Sequence, residues 1–302
     1  MTAPPRPSKI ARAAGTGASV PVEGCQVCGH APLENVLSLG YMPPVNQMVP
    51  IGEVPRQQPW FPTTLLRCQN CELVQLGLAV DPVMIFPPEY PYTSGTTKLL
   101  RDNFADLQRE SAAMFELSDK DLVIDIGSND GTLLSNFKNG GQRVLGIEPT
   151  DVGDIANQRG IPTIKRYFGL DTARQVKREN GPASVVTAAN CFAHMEDVHA
   201  IVDGIVELLK PDGVFISESH YLIPLLDTLQ YDTIYHEHLR YYSLTSLKYL
   251  LEMHDLEVFH ARPIPSHGGS IRVYAARHGA HPVEASVRHI LAEEPHGHAM
   301  TK

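Results

Sequence analysis

The sequence predicts an α/β protein in which a doubly wound, mostly parallel sheet follows a small cysteine-bearing unit. From residue 121 onward, short runs rich in valine and isoleucine alternate with helical segments. This pattern is typical of parallel strands covered on both faces. Before residue 93, four cysteines and many prolines stand among short apolar runs. Such a composition cannot build a large core, so this unit needs a cross-link, such as a bound metal or a disulfide, to be stable.

Composition excludes several protein classes. The chain has 302 residues, of which 43% are hydrophobic and 20% are charged, so bulk disorder, collagen and coiled coil are excluded. No run approaches the roughly 18 apolar residues of a membrane helix. The net charge of −9 argues against a nucleic-acid partner held by a basic surface. Five cysteines without a secretory signal indicate a reducing compartment, and we expect a cytoplasmic protein.

We divide the chain into four parts. Residues 1–20 are rich in Ala, Pro, Ser and Gly and are expected to form a disordered tail, with a transit peptide as the alternative. Residues 21–92 form the small cysteine-bearing domain. Residues 93–278 form the second domain, which begins with a helix from Ser94 to Phe115 that has Leu99, Leu100, Phe104 and Leu107 at helical spacing. Residues 279–302 are histidine-rich and are expected to form a polar tail, with a metal-binding tract as the alternative.

The second domain begins with alternating strands and helices. The predicted strands are Leu122–Ile126, Val144–Ile147, Ile161–Ile164, Ser184–Ala188 and Val214–Ser217. The predicted helices are Thr132–Lys138, Thr172–Asn180 and Asp197–Lys210, the last ending in a turn at residues 211–213. Repeated strand–helix units of this kind build a parallel sheet.

The end of the second domain has a different pattern. A helix is predicted from Ser243 to His254, followed by strands at Leu256–Ala261 and Ser270–Ala276. The connection between these two strands is too short for a crossover helix, so they form an antiparallel hairpin. The sequence therefore predicts a mostly parallel sheet closed by an antiparallel edge hairpin.

Two Cys-x-x-Cys motifs predict a metal site. Cys25 and Cys28 form the first pair, and Cys68 and Cys71 form the second. Four thiolates at this spacing suit tetrahedral zinc and leave no open position for an activated water, so the zinc is structural. A redox role is the alternative, but neither motif opens a thioredoxin-like βαβ unit.

A glycine-containing loop after the first predicted strand of the second domain indicates a nucleoside site. Glu148 ends the next strand, where an acid typically accepts hydrogen bonds from ribose hydroxyls. Asn129 replaces the glycine of a dinucleotide fingerprint, and Asp130 would repel a pyrophosphate, so S-adenosylmethionine fits better; a turn without a ligand is the alternative. The expected cofactor contacts are Asp125, Gly127, Ser128, Asn129, Asp130, Gly131, Glu148 and Asn190.

Two further motifs follow later strands. The first, residues 190–194, places His194 near the cofactor cleft, because ligands of open α/β sheets lie at the carboxyl ends of strands. A structural histidine is the alternative there, and Cys191 is a buried thiol or a nucleophile. The second, residues 235–242, contains His236, Glu237 and His238, which offer a base and an orienting carboxylate. If this segment is extended, the two histidines share one face; a second metal site and a polar surface turn are the alternatives.

These motifs resemble those of the sugar C-methyltransferases that methylate deoxysugar nucleotides at carbon 3. The resemblance covers roughly residues 22–278. Besides the cysteine pairs, the glycine loop and residues 235–238, it includes Leu39-Gly40, Pro43–Asn46, Cys71–Leu76, Tyr90–Gly95 and Gly268–Tyr274.

The resemblance implies a zinc-bearing domain followed by a class I methyltransferase domain with a Rossmann-like sheet, and S-adenosylmethionine as donor. It implies that His238 acts as base, with Glu237, Tyr235, His194 and a tyrosine of the Tyr90/Tyr92 segment around the substrate. Family members continue into a third domain that helps hold the nucleotide part of the substrate, whereas this sequence ends at Lys302. We therefore expect a smaller acceptor, or a partner protein that completes the site.

The expected activity is methylation of a carbon next to a ketone, through an enolate, on a keto-deoxysugar or a related natural-product intermediate. One alternative is an O-methyltransferase that acts on a small hydroxylated metabolite. Another is a cofactor-binding scaffold without activity, but such a scaffold would not need Tyr235, Glu237 and His238.

Overall fold

The computed structural model describes Pro7 and residues 11–47, 49, 51–54 and 57–295. The strands are β1 Ser19–Pro21, β2 Glu34–Met42, β3 Phe61–Arg67, β4 Val74–Leu76, β5 Leu78–Val80, β6 Leu122–Ile126, β7 Arg143–Ile147, β8 Thr163–Ile164, β9 Ala183–Ala189, β10 Leu209–His220, β11 Arg240–Tyr241, β12 Leu256–Ile264 and β13 Ser270–Arg277. The helices are α1 Pro82–Ile85, α2 Lys98–Met114, α3 Thr132–Asn139, α4 Val152–Gln158, α5 Leu170–Asn180, α6 Val198–Leu208, α7 Leu222–Asp227, α8 Leu244–Glu252 and α9 Ala285–Glu293.

The second domain is built on a seven-stranded sheet with the order β12-β13-β10-β9-β6-β7-β8. The five strands from β10 to β8 are parallel. β13 is antiparallel to both of its neighbours, β10 and β12. The predicted α/β class and the antiparallel pairing of the last two strands are therefore confirmed. Because β12 runs in the direction of the parallel strands, β13 is the reversed strand of this sheet.

Most predicted helices and strands form close to their expected bounds. In α2, Leu100, Phe104 and Leu107 are buried, but Leu99 is exposed, so the prediction was wrong about that side chain. The short helix α4 was missed, because its polar sequence has no clear apolar stripe. The turn expected at residues 211–213 is an irregularity inside β10. No helix in the described part of the chain is long and apolar enough to cross a bilayer.

The small domain shares a sheet with the second domain. Its strands β2, β3 and β4 are joined by β11, in the order β11-β4-β3-β2. Arg240 and Tyr241 of β11 pair antiparallel with Gln75 and Val74 of β4. The apolar side chains around the cysteines also belong to the same core cluster as Phe192. The two domains are thus continuous in structure, although they are separate in sequence.

The terminal segments are more ordered than expected. The prediction of a disordered tail is wrong for residues 11–20: β1 pairs with β5, and Ala13 is fully buried. The prediction of a polar tail is wrong for residues 285–295, because α9 buries Val287 and Ile290 and Glu294 accepts a hydrogen bond from the backbone N–H of Thr245 at 2.9 Å. Residues 1–6, 8–10 and 296–302 of the two predicted tails lie outside the described residues.

Candidate active site

The four predicted zinc ligands converge on one point. Cys25 Sγ and Cys71 Sγ are 3.5 Å apart, and Cys28 Sγ and Cys68 Sγ are 3.4 Å apart. Tetrahedral zinc with Zn–S bonds of about 2.3 Å places sulfur atoms about 3.8 Å apart, so the four thiols fit a closed zinc site. Across the described ranges, no other group of three or more His, Cys, Asp or Glu side chains meets the geometry of a metal site.

The predicted cofactor loop connects β6 to α3. Gly127 and Gly131 adopt positive φ angles of 68° and 75°. A Cβ atom on Gly127 would lie 2.9 Å from Cys191 Sγ, so this position requires glycine. The Cys191 thiol donates to the carbonyl oxygen of Ile126 at 2.9 Å, and burial raises its pKa. This environment favours the buried-thiol interpretation of Cys191 over a nucleophile.

Two acids at strand ends flank the loop. Glu148 accepts a hydrogen bond from the backbone N–H of Asn129 at 3.0 Å, and from the hydroxyl of Thr150 at 2.7 Å. Its carboxylate is therefore fixed beside the loop, as a ribose-binding acid requires. Asp125 lies underneath and accepts a hydrogen bond from the Thr187 hydroxyl at 2.6 Å. Burial raises the pKa of Asp125 to about 7.

Asp130 supports the loop from inside. Its carboxylate accepts hydrogen bonds from Thr132 Oγ1 at 2.7 Å and from the Arg159 guanidinium at 2.9 Å, and only 1% of the residue is exposed. The side chain of Asn129 joins the loop to the segment before α2, because its Nδ2 donates to the carbonyl oxygen of Tyr92 at 3.1 Å. Asp130 was expected to contact the cofactor, but its carboxylate is already hydrogen-bonded to protein groups.

Polar side-chain atoms without partners lie in this loop and after β9. Both amide atoms of Asn190 and the hydroxyl of Ser128 are buried and find no hydrogen-bond partner within the described chain. Asn190 also has a positive φ of 59°. Because a buried polar group without a partner costs free energy, these atoms fit a polar ligand such as the amino-acid part of S-adenosylmethionine.

Residues 235–238 form a turn, not the extended segment that would place both histidines on one face. The backbone N–H of His238 donates to the carbonyl oxygen of Tyr235 at 3.0 Å. The turn directs His236 toward the small domain, where its Nε2 lies 3.3 Å from Thr63 Oγ1. A metal site formed by the two histidines is therefore not supported, and Glu237 and His238 face the predicted site together.

His238 is held in a defined tautomer. Its Nδ1 lies 2.8 Å from the carbonyl oxygen of Thr233. A carbonyl oxygen only accepts, so Nδ1 carries the proton and Nε2 of the neutral ring keeps its lone pair. Burial lowers the pKa of His238 well below its ordinary value, and the nearby imidazoles of His194 and His220 lower it further. The ring is therefore neutral at pH 7 and available as a base.

Glu237 connects the turn to the small domain. Its carboxylate accepts hydrogen bonds from the Tyr90 hydroxyl at 2.9 Å and from Asn46 Nδ2 at 2.5 Å. Burial raises the pKa of Glu237, and burial beside this carboxylate raises the pKa of Tyr90. The Tyr90 phenol therefore stays protonated and remains a donor. No hydrogen bond of the Tyr92 hydroxyl is seen in the described structure, but its backbone holds Asn129 of the cofactor loop.

Aromatic rings surround His238. Ring centroids lie 4.1 Å away for Tyr235, 4.6 Å for His220 and 4.9 Å for His194. Burial lowers the pKa of His194 to about 3, so this imidazole is neutral. Phe86 stacks on His194, with the two ring centroids 5.8 Å apart. The structure therefore brings together the five predicted residues His238, Glu237, Tyr235, His194 and Tyr90.

Sequence reasoning missed three residues at this site. Asn46 ends the family motif Pro43–Asn46, but nothing in the neighbouring sequence predicts its hydrogen bond to Glu237. His220 ends β10, as His194 follows β9, and the rule for strand carboxyl ends would have found it. His267 lies between β12 and β13, with its ring centroid 5.6 Å from that of His220.

Comparison with known proteins identifies the family. A model described as "Methyltransferase domain" matches residues 98–261, and one described as "Putative zinc binding domain" matches residues 25–86. The chain belongs to the methyltransferase family. The second match agrees with the four-cysteine cluster, so the predicted arrangement of a zinc-binding domain before a methyltransferase domain is confirmed. The family's cofactor is S-adenosylmethionine, as predicted.

One curated relative is the C-methyltransferase NovU of Streptomyces niveus. It is 36% identical over 276 residues, which are 91% of this chain and 66% of the relative. The chain therefore spans slightly less than two thirds of that protein. Among solved structures, magnesium protoporphyrin IX methyltransferase of Synechocystis is 16% identical, with a TM-score of 0.46 over 59% of this chain and 83% of that chain. A methyltransferase of Clostridium acetobutylicum is 11% identical, with a TM-score of 0.46 over 61% and 94%.

Proposed function

We propose that this chain is an S-adenosylmethionine-dependent C-methyltransferase that methylates a carbon next to a ketone of a small molecule. The observation that carries the proposal is the fixed tautomer of His238. Its Nδ1 is bound to a backbone carbonyl, so Nε2 is directed into a cluster of phenol and imidazole donors. This combination of one base with several neutral donors suits removal of a proton beside a carbonyl group.

His238 performs the proton transfer in this proposal. A ketone acidifies the adjacent C–H bond, Nε2 of His238 takes that proton, and the electron pair of the bond becomes an enolate. The low pKa of His238 makes the ring a weak base, so the developing enolate needs strong stabilisation. The reaction therefore depends on the donors that contact the carbonyl oxygen as much as on the base.

The neighbouring side chains are suited to stabilise that oxygen. Burial raises the pKa of Tyr235, so its phenol keeps its proton and can donate it, whereas the single hydroxyl proton of Tyr90 is already donated to Glu237. His194 is neutral and can donate one N–H. Donors already placed in a buried site need no reorganisation when charge develops, which makes them effective in the transition state.

The cofactor lies between the Asp125–Gly131 loop and Asn190 in this proposal, with Glu148 on the ribose. When bound, S-adenosylmethionine supplies the electrophilic methyl group that the enolate carbon takes up. Asn129 links this loop to the Tyr90–Tyr92 segment, so the cofactor site and the base are positioned by one continuous set of contacts. The zinc site is structural, because four thiolates leave no position for a substrate.

The acceptor is proposed to be a keto-deoxysugar or a related natural-product intermediate. Support comes from the family motifs around the site and from the relative named as a C-methyltransferase. An acceptor of this class offers both the ketone and the acidic C–H bond that the site requires.

Labelled methyl transfer tests the proposal. The full zinc-loaded chain is incubated with candidate keto-sugars and a donor that carries a ¹³C-methyl group, and NMR determines whether the label is bonded to carbon or to oxygen. We expect a carbon-bound label. His238→Asn should lower the rate by about 10²–10⁴-fold, while the exposed His289→Asn should not. An oxygen-bound label would replace the proposal with O-methylation.

A further inference from the structure

Four histidine rings lie close to one another in and around the active site, and three of them lead from the buried base to the protein surface. His238 is 3% exposed. His220 lies next, half-buried, with its ring centroid 4.6 Å from that of His238. His267 lies beyond it, exposed in the turn between β12 and β13, at 5.6 Å from His220. His194 lies on another side of His238, and the Phe86 ring covers it.

The base needs a route for the proton that it removes. Each methylation releases one proton, and that proton resides on Nε2 of His238 after the C–H bond is broken. Nδ1 is already bound to the carbonyl oxygen of Thr233, and the ring is almost fully buried. Solvent therefore has little direct access to the imidazolium, and the proton must pass to a neighbour.

We infer that His220 and His267 form a proton relay that carries the proton removed by His238 from the active site to solvent. The relay rests on the proposed function, since it serves the base of that reaction. The His238 imidazolium gives the proton from Nε2 to His220, through a bridging water where the rings do not touch. His220 passes a proton to His267, and His267 releases it. Each imidazole returns to its neutral form, so one proton enters solvent for each methyl group transferred.

The environments of the rings agree with outward transfer. Burial lowers the pKa of His238 well below its ordinary value and that of His220 to about 4. His267 is at the surface, where its pKa is also lowered by burial of part of the ring. Because charge is less costly nearer to water, a proton moves toward solvent along this path. The route past His194 ends at the apolar Phe86 ring, which cannot accept a proton.

The side chains of the relay do not orient the base. Neither His220 nor His267 is needed to orient His238, because Thr233 does so. His267 has a left-handed backbone conformation, with φ of 51°, which histidine, asparagine and aspartate adopt more readily than other residues with a side chain. The turn Ser266–Gly268 places this imidazole with its centroid 5.6 Å from that of His220.

The test separates methyl transfer from proton release. In a single turnover of the zinc-loaded full chain, quenched samples give the rate of S-adenosylhomocysteine formation. A pH indicator in weakly buffered solution gives the rate of proton release. In the wild type the two should coincide. In His220→Phe, which keeps a ring but no titratable nitrogen, proton release should lag behind methyl transfer by at least about tenfold, and free imidazole should shorten the lag.

A second variant protects the test against a folding defect. His267→Asn keeps a residue that tolerates the left-handed backbone conformation, and we expect a smaller lag in the same direction. His289→Asn, on the exposed face of α9, is the matched control and should show no lag. Coincident rates in both relay variants, or an equal fall of both rates without rescue by imidazole, would overturn the relay while leaving C-methylation intact. A wild-type chain without methyl transfer would overturn the proposed function, and the relay with it.

Discussion

The hydroxyl of Tyr90 donates to the carboxylate of Glu237 at 2.9 Å, across 147 positions of the chain. Tyr90 lies near the end of the zinc-bearing domain, and Glu237 lies in the turn that carries the proposed base. The turn then continues into β11, which pairs with β4 of the small domain. The small domain is therefore a structural part of the active site, and changes in it should affect catalysis.

Tyr90 and Tyr92 should differ in their importance. Tyr90→Phe removes the donor to the buried Glu237 carboxylate, and loss of a hydrogen bond to a charged group costs about 1.5–3 kcal/mol. We expect turnover of a ketone acceptor to fall by roughly tenfold to a hundredfold. Tyr92→Phe keeps the backbone carbonyl that holds Asn129, so its effect should be smaller. Steady-state kinetics on both variants measures this difference. An equal loss of turnover in both would contradict the role assigned to the Tyr90 hydroxyl.

Removal of zinc should disturb the catalytic turn as well as the small domain. The four cysteines pack in the same core cluster as Phe192 and Tyr242, and β4, which follows Cys71, pairs with β11. We expect one zinc per chain by metal analysis. Cys68→Ser combined with Cys71→Ser should abolish zinc binding and lower the melting temperature by several degrees or more. Full zinc content in this double variant would contradict the four-cysteine site.

Glu148 should control cofactor affinity. Its carboxylate fixes the loop through Asn129 and is placed to accept hydrogen bonds from a ribose. We expect Glu148→Ala to weaken S-adenosylmethionine binding by roughly tenfold to a hundredfold, equivalent to about 1.5–3 kcal/mol. Calorimetry measures this, with the exposed Glu179→Gln on α5 as control. Unchanged affinity of the Glu148 variant would exclude the ribose assignment.

The fold was predictable because each strand of the parallel sheet is a short apolar run with turn residues at its ends. The zinc ligands and the cofactor loop were also predictable, since each is a local motif. The bonds from Asn46 to Glu237 and from His220 to its ring neighbours join segments far apart in sequence, and no local pattern encodes them. The sequence left open whether residues 235–238 are extended or form a turn, because nothing in those four residues shows that β11 pairs with a strand of the small domain.

The order of the two terminal segments was also not predictable from local sequence. Residues 11–20 and 285–295 have the polar or small-residue composition of tails, yet Ala13 and Ile290 are buried. Both segments are ordered by tertiary contacts: Ala14 donates its backbone N–H to Glu196 at 2.9 Å, and Glu294 accepts from Thr245. The amino-acid composition of a segment indicates its average polarity, but it does not reveal the few tertiary contacts that order the segment.

Asp125 should make stability depend on pH in a direction unusual for a carboxyl group. Its pKa is raised by burial from 3.8 to about 7, so between about pH 4 and pH 7 the folded state binds more protons at this site than the unfolded state. Its contribution to stability is therefore present below pH 4 and is lost as the pH rises to 7, by at most about 1.4 kcal/mol per pH unit. The buried imidazoles of His194 and His220 have lowered pKa values and act in the opposite direction over part of this range, so the wild type alone does not isolate the effect.

The variant Asp125→Asn isolates the effect of Asp125 ionisation on stability. Asparagine stays neutral and keeps an oxygen that accepts a hydrogen bond from the Thr187 hydroxyl. The free energy of unfolding of each protein is measured by urea denaturation from pH 4.5 to 7.5. The wild-type value minus the variant value should decrease steadily with rising pH, and the slope should flatten above pH 7. A difference that stays constant would show that the pKa of Asp125 is not raised. An increasing difference would show that the folded state favours its ionised form.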